Sequence, residues 1–146
     1  MDEKEIERII RDFVDSLEKK DIDISLSHLT DDAKWFNNEG AFKGKEEIKK
    51  YITWMSKTLM GLKFTDDGVG IIAKGNKAVY QGISESTYEG IKIRVNYVCT
   101  YEFSGDKIKN HWTISDRLSM AKQAVTGPIA KKVVNTVVAR MEKGLH

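Results

Sequence analysis

Apolar residues recur at three- and four-residue spacing over residues 2–19, where Ile6, Ile9, Ile10, Phe13, Val14 and Leu17 share one side of a helix. Acidic residues crowd the start of that stretch, as suits a helix N-terminus. Residues 21–29 repeat the pattern briefly with Ile22, Leu26 and Leu29. Thr30-Asp31-Asp32 is a turn, residues 33–37 a short strand, and Asn38-Glu39-Gly40 a second turn. A third helix opens at Gly44 and runs to about residue 60, with Ile48, Ile52, Met55 and Leu59 as its stripe and Gly61 as its stop.

From Leu62 onward the period shortens from helical spacing to alternation. Residues 62–73 read as a strand with a turn signal at Asp66-Asp67-Gly68, and residues 77–88 as a second strand after Lys74-Gly75-Asn76. Residues 91–103 alternate most cleanly: Ile91, Ile93, Val95, Tyr97, Cys99, Tyr101 and Phe103 share one face. Ser104-Gly105-Asp106 turns the chain into a last strand over residues 107–116. In that strand Ile108, Asn110, Trp112, Ile114 and Asp116 have one parity, which assigns them to the interior and turns His111 outward or toward a partner subunit. Gly127-Pro128 starts a final helix over residues 129–143. Helices followed by a run of strands predict an α+β fold, with the N-terminal helices covering one face of an antiparallel meander.

Asp116 stands out in this pattern. A carboxylate in line with an apolar face is costly unless it is paired, neutralised or solvated. It either caps the segment 119–123 or pairs with a cation such as Arg117, or it works in catalysis or ligand recognition. Trp35, Trp54, Trp112, Tyr97 and Tyr101 supply interior aromatics, as core or as the wall of a pocket. Tyr97 and Tyr101 carry hydroxyls that need partners when buried, and Asn110 shares the face of Asp116.

Composition narrows the function classes. The 146 residues fit one domain; they are 40% hydrophobic and 32% charged, with a net charge of +2 that does not argue for nucleic acid or an acidic membrane surface. Cys99 is the single cysteine, which rules out an internal disulfide or a cysteine-built zinc site and agrees with a reducing cytoplasm. It is expected as inert core. The polar N-terminus is not a secretory signal, and no apolar run reaches membrane-spanning length. His28 and His111 are the internal histidines and His146 is terminal; with no acidic residue at ligand spacing next to either internal one, no metal is expected. Nucleophile-elbow, phosphate-loop and dinucleotide motifs are absent.

The order of a helix, Asp31-Asp32-Ala33-Lys34-Trp35-Phe36, Gly44-Lys45-Glu46-Glu47-Ile48, a meander, Gly105-Asp106-Lys107-Ile108 and a strand ending at Asp116 resembles the SnoaL-like polyketide cyclase branch of the nuclear transport factor two-like superfamily. The resemblance spans roughly residues 3–125. It implies a cone: a strongly curved, mostly antiparallel sheet wrapped around N-terminal helices, with residues 1–126 as the cone domain. The helix over 127–146 lies beyond the resemblance, and its broad apolar face packs on the same domain or on a dimer partner, or covers the cone as a lid. The resemblance also implies an apolar pocket and a homodimer. Asp116 falls where polyketide cyclases of this branch place an acid/base aspartate. The ketosteroid isomerase branch departs from this chain, because its tyrosine and two aspartates align with Phe13, Asn37 and Cys99.

These readings together predict a cytoplasmic protein that binds an apolar small molecule without cofactor. It would act as a cyclase, isomerase or dehydratase on a carbonyl compound, with Asp116 as acid/base and Trp35, Trp54, Tyr97, Tyr101, Asn110 and Trp112 around the ligand. The alternative is a non-catalytic ligand-binding or dimerisation module of the same fold. Protein transport, the namesake activity of the superfamily, has no supporting motif.

Overall fold

The computed structural model describes residues 1–145; His146 lies outside the described residues. The elements run α1 (Glu3–Glu18), α2 (Ile22–Ser27), β1 (Leu29–Asn37), β2 (Gly40–Lys43), α3 (Gly44–Thr58), β3 (Met60–Lys74), β4 (Lys77–Tyr88), β5 (Ile91–Ser104), β6 (Lys107–Ser115), α4 (Arg117–Ala124) and α5 (Pro128–Met141). The six strands form one curved, unclosed sheet in the order β2-β1-β6-β5-β4-β3. Every neighbouring pair is antiparallel except β1 with β6, which is parallel. The fold is the expected α+β cone. Two features go beyond the expectation: β2 makes a hairpin with β1, and β3 continues past Asp66 through an irregularity between Asp66 and Ile71 instead of turning there.

The helices on the concave face follow from their stripes. Asp2 caps α1, accepting from the Glu5 N–H at 2.8 Å. Ile6, Ile10 and Phe13 of α1 and Ile48 and Ile52 of α3 are almost wholly buried against the sheet. Each such side chain contributes about 1.5–3 kcal/mol. Polar clips fix the angle of α1: Ser16 Oγ meets Ser25 Oγ of α2 at 2.8 Å, and Glu18 accepts from the Phe64 N–H of β3 at 2.7 Å. The inward residues of β5, Ile93 to Phe103, supply the floor, as their alternation predicted.

In β6 the expected facing is inverted beyond Ile108. The β5–β6 ladder pairs Phe103 with Ile108 but Glu102 with Asn110, so Lys109 is an extra residue on β6. A bulge of one residue sends every later side chain to the opposite face. His111 is therefore buried, while Asn110, Trp112, Ile114 and Asp116 leave the interior. The outer face of the sheet is apolar too, with Trp112 stacked on Phe36 at 5.3 Å and Ile72, Val79, Val98 and Ile114 exposed beside them.

Candidate functional site

A cavity of about 150 Å³ lies between α1, α3 and the concave side of the sheet. Val14 and Leu17 come from α1, Tyr51 and Met55 from α3, and Leu62, Phe64, Val95, Tyr97 and Tyr101 from the sheet. At its open end the wall is Asn37 at the end of β1, Asn38 and Glu39 of the β1–β2 turn, Trp54 of α3 and Met120 of α4. A groove of about 410 Å³ continues from there beneath α4, past Ser86, Tyr88, Ile93 and Arg117. Helix α4 is held over this end by Gln123, whose side-chain amide accepts from the Arg94 N–H and donates to the Arg94 carbonyl, both at 2.8 Å.

Several expected pocket residues meet here. Trp35 is buried at the back, donating from Nε1 to Thr113 Oγ1 at 3.1 Å. Trp54 sits at the mouth, 46% exposed, and stacks on Tyr51. Tyr97 and Tyr101 line the inner wall. Three expectations about the interior are corrected, all by the Lys109 bulge. Asn110 turns away and donates to Glu102 Oε2 at 2.8 Å, and Trp112 covers Phe36 on the outer face. Asp116 is exposed, where its Oδ1 accepts from the Ser119 N–H at 2.9 Å as the N-cap of α4.

His111 takes the place that parity had given to Asn110. Its ring lies between Trp35 at 4.4 Å and Tyr101 at 4.5 Å, with the edge of Phe13 at 5.8 Å. Its Nε2 meets Thr113 Oγ1 at 3.3 Å, whereas its Nδ1 is buried without a partner. Burial pulls its pKa down to about 3, so the ring is neutral at physiological pH. The same burial pushes the Cys99 thiol up to about 11, which leaves it protonated and unreactive.

Two further orphan groups line the cavity. Asn37 Oδ1 accepts from the backbone N–H groups of Glu39 and Gly40, at 3.0 and 3.2 Å, which fixes the orientation of the amide. The Asn37 Nδ2 is then the buried atom without a partner. The Tyr97 ring lies across Gly82, its register partner on β4; a Cβ there would stand 2.5 Å from the Tyr97 hydroxyl and from the Thr65 carbonyl. That hydroxyl lies beside Tyr80 without a hydrogen bond of good geometry, and burial together with this contact raises its pKa. Tyr80 gives its own proton to Asp66 Oδ1 at 3.0 Å, and Asp66 is in turn gripped by Arg11 at 3.0 Å, which lowers the carboxyl pKa. Glu39, exposed at the mouth, is the only carboxylate that touches the cavity among the described residues.

Residues 10–111 match the SnoaL-like domain family, which is most of the chain. The chain belongs to the SnoaL-like domain family. Solved structures of SnoaL-like and related proteins share its fold at low identity. A protein described as a SnoaL-like polyketide cyclase, from Shewanella putrefaciens CN-32, is 14% identical over 84% of this chain and 97% of its own, with a TM-score of 0.74. An NTF2-like protein from Burkholderia xenovorans LB400 is 15% identical over 86% and 99%, with a TM-score of 0.74. An LEH-like epoxide hydrolase from M. tuberculosis is 17% identical over 93% and 98%, with a TM-score of 0.73. No curated protein matches the chain by sequence. Among the described residues of this SnoaL-like chain, no helix is long and apolar enough to cross a membrane, and no three His, Cys, Asp or Glu side chains converge as metal ligands.

Proposed function

We propose that this SnoaL-like protein binds a small, largely apolar, carbonyl-bearing ring compound in the cone. One observation carries the reading. Three of the residues that line an apolar cavity, Asn37, Tyr97 and His111, each carry a buried polar atom without a protein partner. Leaving such atoms unpaired costs about 1–3 kcal/mol each, which a ligand able to bond to them would relieve. Size sets the ligand class: about 150 Å³ takes a single ring, and anything larger must extend into the groove under α4.

Cyclising, isomerising or dehydrating chemistry fits this site through acid/base work by side chains alone. The titratable groups at the cavity include Tyr97, neutral His111 and, at the mouth, Glu39. Asp116 could join them only after α4 shifts and releases its cap. The test is the melting temperature against a panel of single-ring ketones. A ligand at 100 times its Kd adds about 2.7 kcal/mol, a rise of roughly 5–10 °C for a domain of this size. No rise with any member would end the proposal.

The outer face supports a homodimer in addition. The Phe36–Trp112 stack is flanked by Ile114, 66% exposed, and by Val98, Val79 and Ile72, and monomers rarely leave so broad an apolar surface in water. Helix α5, which packs against α4 and contributes no residue to the cavity among the described residues, exposes Ile129, Val133, Val137 and Met141 along one stripe. It fits the role of an added contact between copies.

A further inference from the structure

We infer that the cavity selects neutral ring compounds carrying hydrogen-bond acceptors on two edges, because its unpaired groups are donors set on two different walls. The inference rests on the ligand-binding reading above and names the class of ligand more narrowly.

Each orphan group has its bonding sense fixed by its neighbours. Both lone-pair directions of Asn37 Oδ1 are taken by the Glu39 and Gly40 N–H groups, so Asn37 can offer a ligand only its N–H bonds. Tyr97 has a single proton, held in no hydrogen bond of good geometry although the Tyr80 hydroxyl lies beside it. For His111 the Thr113 hydroxyl decides. Thr113 Oγ1 already accepts the indole N–H of Trp35, and its own proton can go to His111 Nε2 at 3.3 Å or to Cys99 Sγ at 3.5 Å. Nitrogen is the stronger acceptor of the two. With Nε2 accepting, the single proton of the neutral ring sits on Nδ1, the unpaired atom. Ser115 adds a fourth donor of the same kind, since its oxygen accepts from Asn38 Nδ2 and its proton remains free for a ligand.

The donors do not converge on one point. Tyr97 pairs with Ser115 across the β5–β6 ladder, and His111 lies four residues further along β6. At about 3.3 Å per residue this separates their backbones by roughly 13 Å. The Tyr97 ring leans over Gly82, toward β4 and away from β6. One acceptor on the ligand would therefore face β4 and another the β1–β6 wall. Anions are disfavoured, because among the described residues no Lys or Arg side chain lines the cavity and Glu39 stands at its mouth.

The test compares two probes of similar size, cyclohexane-1,4-dione and p-xylene, on the wild type, Tyr97→Phe and Asn37→Asp, with affinities from chemical-shift titration. Tyr97→Phe removes only the hydroxyl. Asn37→Asp keeps the oxygen that holds the turn and replaces the donor with an anionic acceptor. The dione is expected to bind at least fivefold more weakly to Tyr97→Phe and at least tenfold more weakly to Asn37→Asp. In both variants p-xylene should change less than twofold. If p-xylene binds the wild type but dione affinity is unchanged in both variants, the donor inference is overturned while the ligand-binding reading stands. If neither probe binds the wild type, that reading falls, and the inference with it.

Discussion

Lowering the pH from 7 to 5 should weaken this protein by an amount that His111 alone largely determines. In the unfolded chain a histidine titrates near 6.5, whereas burial between Trp35, Tyr101 and Phe13 holds His111 down at about 3. Below pH 6.5 the unfolded chain takes up a proton that the folded protein refuses, so stability falls as the pH falls toward 3. Between pH 7 and 5 the expected loss is about 2 kcal/mol, and it is insensitive to the folded pKa so long as that stays below 4. With a urea dependence of about 2 kcal/mol per molar, the unfolding midpoint should drop by roughly 1 M. His111→Phe keeps a flat ring in the stack and removes the titration. Its midpoint should move far less over the same interval, the residue being the contribution of half-buried His28, which shifts in the same direction. The carboxylates held low, such as Asp66, act only nearer pH 4 and below. Equal losses in wild type and His111→Phe would refute the burial of a neutral imidazole and, with it, the bulge at Lys109.

Three further outcomes are expected. Gly82→Ala should cost about 1–3 kcal/mol, measured by urea unfolding, because the new methyl group meets the Thr65 carbonyl and the Tyr97 hydroxyl at 2.5 Å. Asp116→Ala should lose about 1 kcal/mol through the α4 cap, while Asp116→Asn, which can cap as well, should lie within a few tenths of the wild type. If the proposed dimer forms through the sheet, Trp112→Arg should run as a monomer by light scattering where the wild type runs as a dimer.

Much of the fold is legible in the chain because local patterns agree with tertiary burial. The α1 stripe and the strict alternation of β5 each have one apolar side, so the face they bury follows from period alone. The site was less legible, and β6 shows why. Both faces of this strand meet apolar surroundings, so Trp112 and Ile114 look like core although they cover the outer face. Alternation then cannot reveal the extra residue at Lys109. The signal that pointed the other way was the polar trio His111, Thr113 and Ser115, spaced to share one face with the buried tyrosines of β5. The orphan donor of Asn37 was hidden for a different reason. It depends on the β1–β2 hairpin, whose second strand is only Gly40–Lys43 and carries little periodicity.

The three tryptophans offer the most direct test of the central claim, that the cone binds a ligand. Trp35 lies at the back of the cavity, Trp54 at its mouth and Trp112 on the outer face of the sheet. Their indole N–H resonances can be followed separately during titration with a single-ring ketone. Saturable shifts are expected for Trp35 and Trp54, with Trp112 unmoved. Shifts confined to Trp112, or none at all, would contradict ligand binding in the cone.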